Sequence, residues 1–170
     1  EPLIGVVNTT VIGQLPEAHY IGAIAIGSLI FSFLFWGFGF LRLSTGGLSA
    51  QAVGAGDSAE VIAVLLRALA IAVTVGLCLI IASPLIEKMA FDLMGGSPEM
   101  RAQGEIYFRY RILSAPFALT NFCILGWFIG QGRAAIAFVV QIFLNLVNMA
   151  LGAWFVLSLG MTADGVGLSA

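Results

Sequence analysis

The sequence of 170 residues is too apolar to fold as a water-soluble protein. Hydrophobic residues make up 60% of it and charged residues only 9%, with a mean hydropathy of +1.05, whereas soluble proteins average about 25% charged residues. Seven Lys or Arg against nine Asp or Glu give a net charge of −2, which excludes the basic stripe of a nucleic-acid-binding protein. The composition therefore predicts a membrane protein whose surface contacts the lipid bilayer and not nucleic acid.

Long uncharged stretches predict transmembrane helices. A helix needs about 20 residues to cross about 30 Å of hydrocarbon, and the uncharged stretches of about that length are 18–41, 68–86, 112–132 and 134–163. Their apolar character is continuous, whereas the strands of an outer-membrane barrel alternate with period two. In chain order, the predicted helices are 2–15, 19–52, 59–86, 103–131 and 134–158, with the start of a sixth at 162–170. The segment 2–15 is too short to cross and is interpreted as part of a truncated helix, so the prediction is an all-α, polytopic transmembrane bundle.

Amide side chains inside the apolar stretches indicate a polar interior. Gln141, Asn145 and Asn148 follow one another at i, i+4 and i+7, which places them on one helical face. Asn8 and Gln14 occupy the first segment. Placing a polar group without a hydrogen-bond partner in hydrocarbon costs several kcal/mol of free energy, so such side chains must face protein or a water-filled cavity. Two interpretations stay open: an interhelical hydrogen-bond network and the lining of a cavity.

Aromatic and basic residues alternate early in the fourth predicted helix. Tyr107, Phe108 and Tyr110 are interleaved with Arg109 and Arg111. This pattern is typical of an interfacial belt, in which rings lie at the level of the lipid headgroups and guanidinium groups extend to water.

Small residues recur at the spacing of close helix packing. Gly126 and Gly130 form a GxxxG pair, and Ala23 and Gly27 form a second pair of the same spacing. Pairs of this kind allow two helix backbones to approach closely in a membrane. We therefore expect helix contacts at these positions.

Motifs for catalysis are not visible in the sequence. It contains no HExxH, GxSxG or Walker-type loop, and its single histidine, His19, lies in a predicted turn. The residues therefore predict a protein that is not an enzyme and holds no metal or cofactor. Transport, channel and membrane-assembly functions stay open, in that order of preference.

Several sequence blocks resemble the multidrug and toxic compound extrusion (MATE) transporters, in particular their DinF-like branch. The blocks are PLIGVVNTTVIG at 2–13, GFLR at 39–42, GLSAQA at 47–52, GAGD at 54–57, YFRYR at 107–111, APF at 115–117 and GWFIGQG at 126–132. Their order and separations agree with the family over essentially the whole chain.

The resemblance implies a twelve-helix exporter built from two six-helix lobes around a central cavity. Residues 1–170 would form most of the amino-terminal transmembrane lobe, and the carboxy-terminal lobe of the same polypeptide would be missing from this sequence. It implies an antiporter in the cell (inner or plasma) membrane that exports amphipathic, often cationic organic compounds by alternating access. The driving gradient would be of protons or sodium ions, with no further cofactor.

Two positions depart from the DinF-like pattern. The branch usually carries an aspartate where this chain has Asn8 and another where it has Gly152. Both carboxylates associated with proton coupling in this lobe are therefore absent, and a neutral amide at Asn8 cannot take up and release a proton.

The resemblance and the polar pattern together give one set of candidate cavity-lining residues. Tyr107, Asn145 and Asn148 match family positions near the coupling site, and the whole set is Asn8, Gln14, Tyr107, Gln141, Asn145 and Asn148. Two alternatives to efflux remain: a flippase for lipid-linked precursors from the same superfamily, and a degenerate membrane homologue that transports nothing. A membrane-bound enzyme is the remaining alternative.

Overall fold

The computed structural model describes residues 18–94 and 98–159 and contains six helices. In chain order they are α1 (Ala18–Gly37), α2 (Phe40–Gly54), α3 (Ser58–Met94), α4 (Pro98–Ile112), α5 (Ala115–Gly130) and α6 (Ala134–Leu159). Within these two ranges no residue belongs to a β-strand. The predicted all-α fold class is therefore confirmed.

Several of these helices are long and apolar enough to cross a membrane. By length and composition the candidate spans are Ala25–Gly54, Ser58–Leu93 and Ala134–Leu151. Gly104–Ile112 of α4 and Ala115–Gly130 of α5 meet the same test together, as a pair bent by 54° that forms either a broken span or a re-entrant loop. The described residues thus contain three such spans, or four if the broken pair counts as one.

The segment predicted as one helix at 19–52 is divided between α1 and α2. The division falls at Phe38 and Gly39, whose N–H groups donate to the carbonyl oxygens of Phe35 and Trp36, both at 3.0 Å. These bonds reach back three residues instead of four, so the chain tightens into a turn before α2 begins.

The segment predicted at 103–131 is divided in the same way, between α4 and α5. Ser114 donates both its N–H, at 3.0 Å, and its hydroxyl, at 2.7 Å, to the carbonyl oxygen of Arg111. Pro116 follows at the second position of α5, where its missing N–H is tolerated in the first turn of a helix. The turn and the proline explain why the segment predicted as one helix forms two.

Helix α3 is longer than the predicted helix 59–86. It passes through Pro84 and continues to Met94, although Glu87 was expected to mark the end of the apolar stretch. Glu87 is only 8% exposed and forms an ion pair with Arg109, so its charge does not require water at this point. Helix α6 ends one residue beyond the predicted 134–158, and the predicted segments 2–15 and 162–170 lie outside the described residues.

Helices α2 and α5 end in the same type of C-terminal motif. Gly56 and Gly132 have φ angles of +71° and +74°, in the left-handed region that favours glycine. The residue after each glycine donates its N–H to a carbonyl five positions back: Asp57 to Ala52 at 3.1 Å, and Arg133 to Phe128 at 2.9 Å. This is the Schellman arrangement, which satisfies the last carbonyl groups of a helix.

The chain forms two compact units, each assembled from separate stretches. Among the described residues, unit 1 contains 18–33, 81–94, 98–114 and 143–159, and unit 2 contains 34–80 and 115–142. The long helices α1, α3 and α6 therefore contribute residues to both units.

Buried side chains of α2, α3 and α5 meet in the core of unit 2. They are Leu41, Ala68, Ala72, Leu119 and Cys123. The thiol of Cys123 donates to the carbonyl oxygen of Ala68 at 3.5 Å. The small size of the two alanines keeps α3 close to α5, which aligns the helices that carry the polar contacts described below.

Large apolar side chains are also exposed along the helices. Trp36 is 83% exposed, Ile81 79% and Leu93 89%. A water-soluble protein rarely leaves apolar patches of this kind open to solvent. The exposed surface is therefore typical of a protein surrounded by lipid.

Candidate functional site

Tyr107 of α4 packs against α1 inside unit 1. Its side chain is 1% exposed, and a Cβ atom added at Gly27 would collide with its ring, so the glycine allows the ring to approach the α1 backbone. The hydroxyl of Tyr107 lies 3.3 Å from Oγ of Ser28. The ring meets Phe31 edge-on, with centroids 6.4 Å apart. Helix α1 therefore holds Tyr107 at both its ring and its hydroxyl.

Arg111 lies on the same face of α4, one helical turn after Tyr107. Its guanidinium carbon Cζ is 5.4 Å from the centroid of the Phe31 ring and 5.7 Å from that of the Tyr107 ring. Both distances are in the range of a cation–π interaction. Phe108 is fully buried and packs on Phe31 with centroids 5.0 Å apart. The interfacial-belt interpretation is therefore wrong for Tyr107 and Phe108, because α4 turns both rings toward protein.

Two other arginines of α4 are paired with carboxylates. Arg109 donates from Nη2 to Oε1 of Glu87 at 3.0 Å and from Nε to the same oxygen at 3.2 Å. Arg101 lies 3.0 Å from Glu105 and 2.8 Å from Asp92. Hydrogen bonds to Glu105 and then to Asp92 raise the pKa of Arg101 above its ordinary value. These contacts place two guanidinium groups against three carboxylates of α3 and α4 in unit 1.

Glycines bring α2 and α5 into backbone contact inside unit 2. A Cβ atom at Gly126 would collide with the carbonyl oxygen of Arg42, and one at Gly130 would collide with that of Gly46. A Cβ at Gly46 would in turn lie 3.2 Å from the carbonyl oxygen of Gly126. The close packing predicted from the GxxxG pair is confirmed.

Two polar contacts within unit 2 connect α5 to its neighbours. Nδ2 of Asn121 donates to Oε1 of Gln141 at 3.4 Å, which joins α5 to α6. Nε1 of Trp127 donates to the carbonyl oxygen of Val61 at 2.8 Å, which joins α5 to α3. The first contact supports the interpretation of Gln141 as a member of an interhelical hydrogen-bond network.

The structure describes four of the predicted cavity-lining residues: Tyr107, Gln141, Asn145 and Asn148. The other two, Asn8 and Gln14, lie outside the described residues. Tyr107 belongs to unit 1, as do Asn145 and Asn148, which are half-buried on α6. Gln141 belongs to unit 2, where Asn121 contacts it. A common role for the set in binding substrate stays a prediction.

Sequence reasoning missed the contribution of Ser28, Phe31 and Arg111 to the surroundings of Tyr107. Neither Ser28 nor Phe31 carries a motif signal, because their role depends on which face of α1 meets α4. For Arg111 a signal existed: the i, i+4 spacing from Tyr107 places the two side chains on one face of a helix. In the described part of the chain, no three His, Cys, Asp or Glu side chains gather in a way that could hold a metal ion.

Comparisons with known proteins find relatives along nearly the whole chain. The MatE family model matches residues 1–154. The DNA damage-inducible protein F of Escherichia coli (strain K12) is 37% identical over 169 residues, which are 99% of this chain and 37% of that protein.

Solved structures share the fold. One is a multidrug resistance MATE family transporter of the MOP superfamily in an inward-facing conformation, with a TM-score of 0.89 and 21% identity over 98% of this chain and 38% of that one. Another is a MOP superfamily transporter from Pyrococcus furiosus, with a TM-score of 0.88 and 21% identity over 99% of this chain and 37% of that one. The chain therefore spans 37% to 38% of the length of these relatives.

Proposed function

The chain belongs to the MatE family, and we propose that it forms part of a secondary-active efflux transporter. In this proposal the transporter exports amphipathic, often cationic organic compounds across the inner or plasma membrane, in exchange for protons or sodium ions. The family match over residues 1–154 is the observation that carries the proposal. The chain spans 37% to 38% of its relatives' length, and in this proposal a carboxy-terminal lobe would complete the substrate path.

Substrate binding in this proposal uses amide groups on an otherwise apolar helix. Helix α6 contains no charged residue over its 26 residues, and Asn145 and Asn148 are half-buried on it. Their amide groups can bind the polar part of an amphipathic compound, while neighbouring apolar side chains contact the rest of it. Tyr107 is 1% exposed and is held against α1 by Ser28 and Gly27, so its part in this proposal is to position α4 beside α1.

Movement of substrate in this proposal follows alternating access, in which two bodies rock around a site near the middle of the membrane. Such rocking needs helices that move together. The backbone contact of Gly126 and Gly130 with α2 supports this within unit 2, because helices packed this closely cannot slide past one another without a clash.

Ion coupling in this proposal uses either protons or sodium ions. Neither Asn8 nor Gly152 can titrate, so protons would have to use a carboxylate elsewhere in the polypeptide. Among the described residues the only buried carboxylate is Glu87, which is already paired with Arg109. Sodium coupling needs no titrating group, so the identity of the driving ion is a matter for direct measurement.

Transport is tested with the complete polypeptide in proteoliposomes that contain a fluorescent cationic dye. We expect an imposed proton or sodium gradient to move the dye, and each ion is tested separately. Asn145→Ala and Asn148→Ala should each raise KM about fivefold, as expected for a lost hydrogen bond of about 1 kcal/mol. Leu146→Ala is the matched control, because Leu146 lies on the same helix and is 58% exposed.

Further outcomes separate the alternatives. If Asn8 marks the coupling position, Asn8→Asp should introduce a new pH dependence of dye movement, and an unchanged pH profile would argue against that role. Absence of dye movement under both gradients would contradict the proposal and favour a homologue that transports nothing. Movement of a lipid-linked precursor in place of the dye would favour the flippase.

A further inference from the structure

Arg111 carries its positive charge within a candidate membrane span. It belongs to Gly104–Ile112, the first part of the bent pair that passes the span test together with α5. The side chain is half-buried, and its Nε atom is enclosed without a hydrogen-bond partner. A charged residue inside a membrane span is expensive unless a partner compensates it, and it is more often functional than structural.

The ion pairs in the described part of the chain leave Arg111 without a carboxylate. In unit 1, Arg109 is paired with Glu87. Arg101 is paired with Glu105 and Asp92. In unit 2, Arg67 is paired with Glu60. The contacts of the Arg111 guanidinium are the aromatic rings of Phe31 and Tyr107. Such contacts stabilise a cation, but they neutralise no charge and satisfy no N–H group.

Arg111, Phe31 and Tyr107 form an aromatic–arginine cluster. This cluster has the features of a binding site for an oxyanion. A guanidinium presents its N–H groups as a planar fork that matches a phosphate or carboxylate, and aromatic rings hold that plane in place before the ligand arrives. The hydroxyls of Ser28 and Tyr107 lie 3.3 Å apart, which fixes the Tyr107 ring that contacts Arg111.

We propose that Arg111, positioned by Phe31 and Tyr107, binds the oxyanion headgroup, a phosphate or a carboxylate, of an amphiphilic molecule. An apolar chain attached to the headgroup suits a site within a membrane span. The inference goes beyond the export of cationic compounds, because a fixed positive charge attracts anionic or zwitterionic molecules. It requires only binding, so it stands or falls independently of transport.

Binding is tested with the complete polypeptide purified in dodecyl maltoside, a detergent without charge. Decyl phosphate is titrated while thermal unfolding is followed, and decyl maltoside, which has the same chain length and no charge, is the ligand control. We expect decyl phosphate alone to raise the Tm in a saturable manner. Arg111→Gln should weaken its apparent affinity about tenfold or more, as expected for the loss of a charge-assisted hydrogen bond.

Two more variants make the test specific. Arg111→Lys keeps the charge but loses the planar fork, so it should also weaken binding, and it remains informative if Arg111→Gln does not fold. Arg109→Gln is the matched control on the same helix: it removes the same charge from a side chain that is already paired, and should bind decyl phosphate as the original protein does. Equal loss in Arg109→Gln and Arg111→Gln, or unchanged affinity in Arg111→Lys, would overturn the proposal.

The source of the headgroup is resolved by two further arms. The protein is extracted from vesicles of equal parts phosphatidylglycerol and phosphatidylcholine, and retained lipid is measured by native mass spectrometry. Preferential retention of phosphatidylglycerol that is lost in Arg111→Gln identifies a lipid headgroup. Competition of decyl phosphate by inorganic phosphate, without such lipid retention, identifies a soluble amphiphilic anion. Absence of saturable decyl phosphate binding together with equal lipid retention by both proteins would refute the site.

Discussion

The backbone contact between α2 and α5 predicts that Gly126 tolerates no side chain. In an isolated helix, replacing glycine by alanine stabilises by about 0.5–1 kcal/mol. Here the added Cβ would collide with the carbonyl oxygen of Arg42, a backbone atom that cannot rotate away. Overpacking of this kind costs about 1–3 kcal/mol, so Gly126→Ala should lower the free energy of unfolding by up to about 2.5 kcal/mol after the helix-propensity gain is subtracted.

Gly47→Ala is the matched control for this prediction. Gly47 lies on α2 beside Gly46, but a Cβ at this position meets no atom within 4 Å. The substitution should therefore be neutral or stabilise by up to about 1 kcal/mol, since only helix propensity changes. Unfolding of the complete polypeptide in mixed micelles, followed by tryptophan fluorescence as sodium dodecyl sulfate increases, measures both variants. If Gly126→Ala is as stable as Gly47→Ala, the close contact of α2 and α5 is wrong.

Two local hydrogen bonds give further stability predictions. Trp127→Phe removes the bond from Nε1 to the carbonyl oxygen of Val61 and should destabilise by about 1 kcal/mol beyond the loss of ring area, measured in the same unfolding assay. Asp57→Ala removes the cap at the start of α3, where Oδ1 accepts the N–H of Glu60 at 2.9 Å. Asp57→Ala should lower the free energy of unfolding by about 0.5–2 kcal/mol. Asp57→Asn can still accept this bond and should retain most of the stability. An equal loss of stability in both variants would contradict the role of Asp57 as a helix cap.

The helical fold could be predicted from the sequence because hydrocarbon leaves few alternatives for an apolar backbone. The helix interruptions were harder to predict. The break at Phe38 and Gly39 lies inside a stretch without charges, whereas the break at Ser114 combines a turn closed by its N–H and hydroxyl with the nearby Pro116. The end of α3 was predicted too early, at residue 86. A charge such as that of Glu87 normally marks the end of a span, whereas here Arg109 compensates it and the helix continues to Met94.

The residues that surround the candidate site are determined by which helix faces pack together. The pattern of a single helix does not show which face of another helix it meets. The contact of Gln141 with Asn121 joins residues 20 positions apart, and nothing in their local patterns distinguishes it from cavity lining. The approach of Tyr107 to Gly27 likewise joins residues that are far apart in the sequence. A small residue on α1 was visible in the sequence, but its aromatic partner was not.

The residues of the YFRYR motif lie on different faces of α4, although the sequence pattern treats them as one group. Successive residues of a helix are about 100° apart, so Arg109 and Arg111 lie on nearly opposite sides. The side chain of Arg109 is 69% exposed and is bound to Glu87, whereas Arg111 lies beside buried Tyr107. Substitutions at the two arginines should therefore have different consequences: a change at Arg109 should affect the attachment of α4 to α3, and a change at Arg111 should affect the aromatic cluster and any anion bound there.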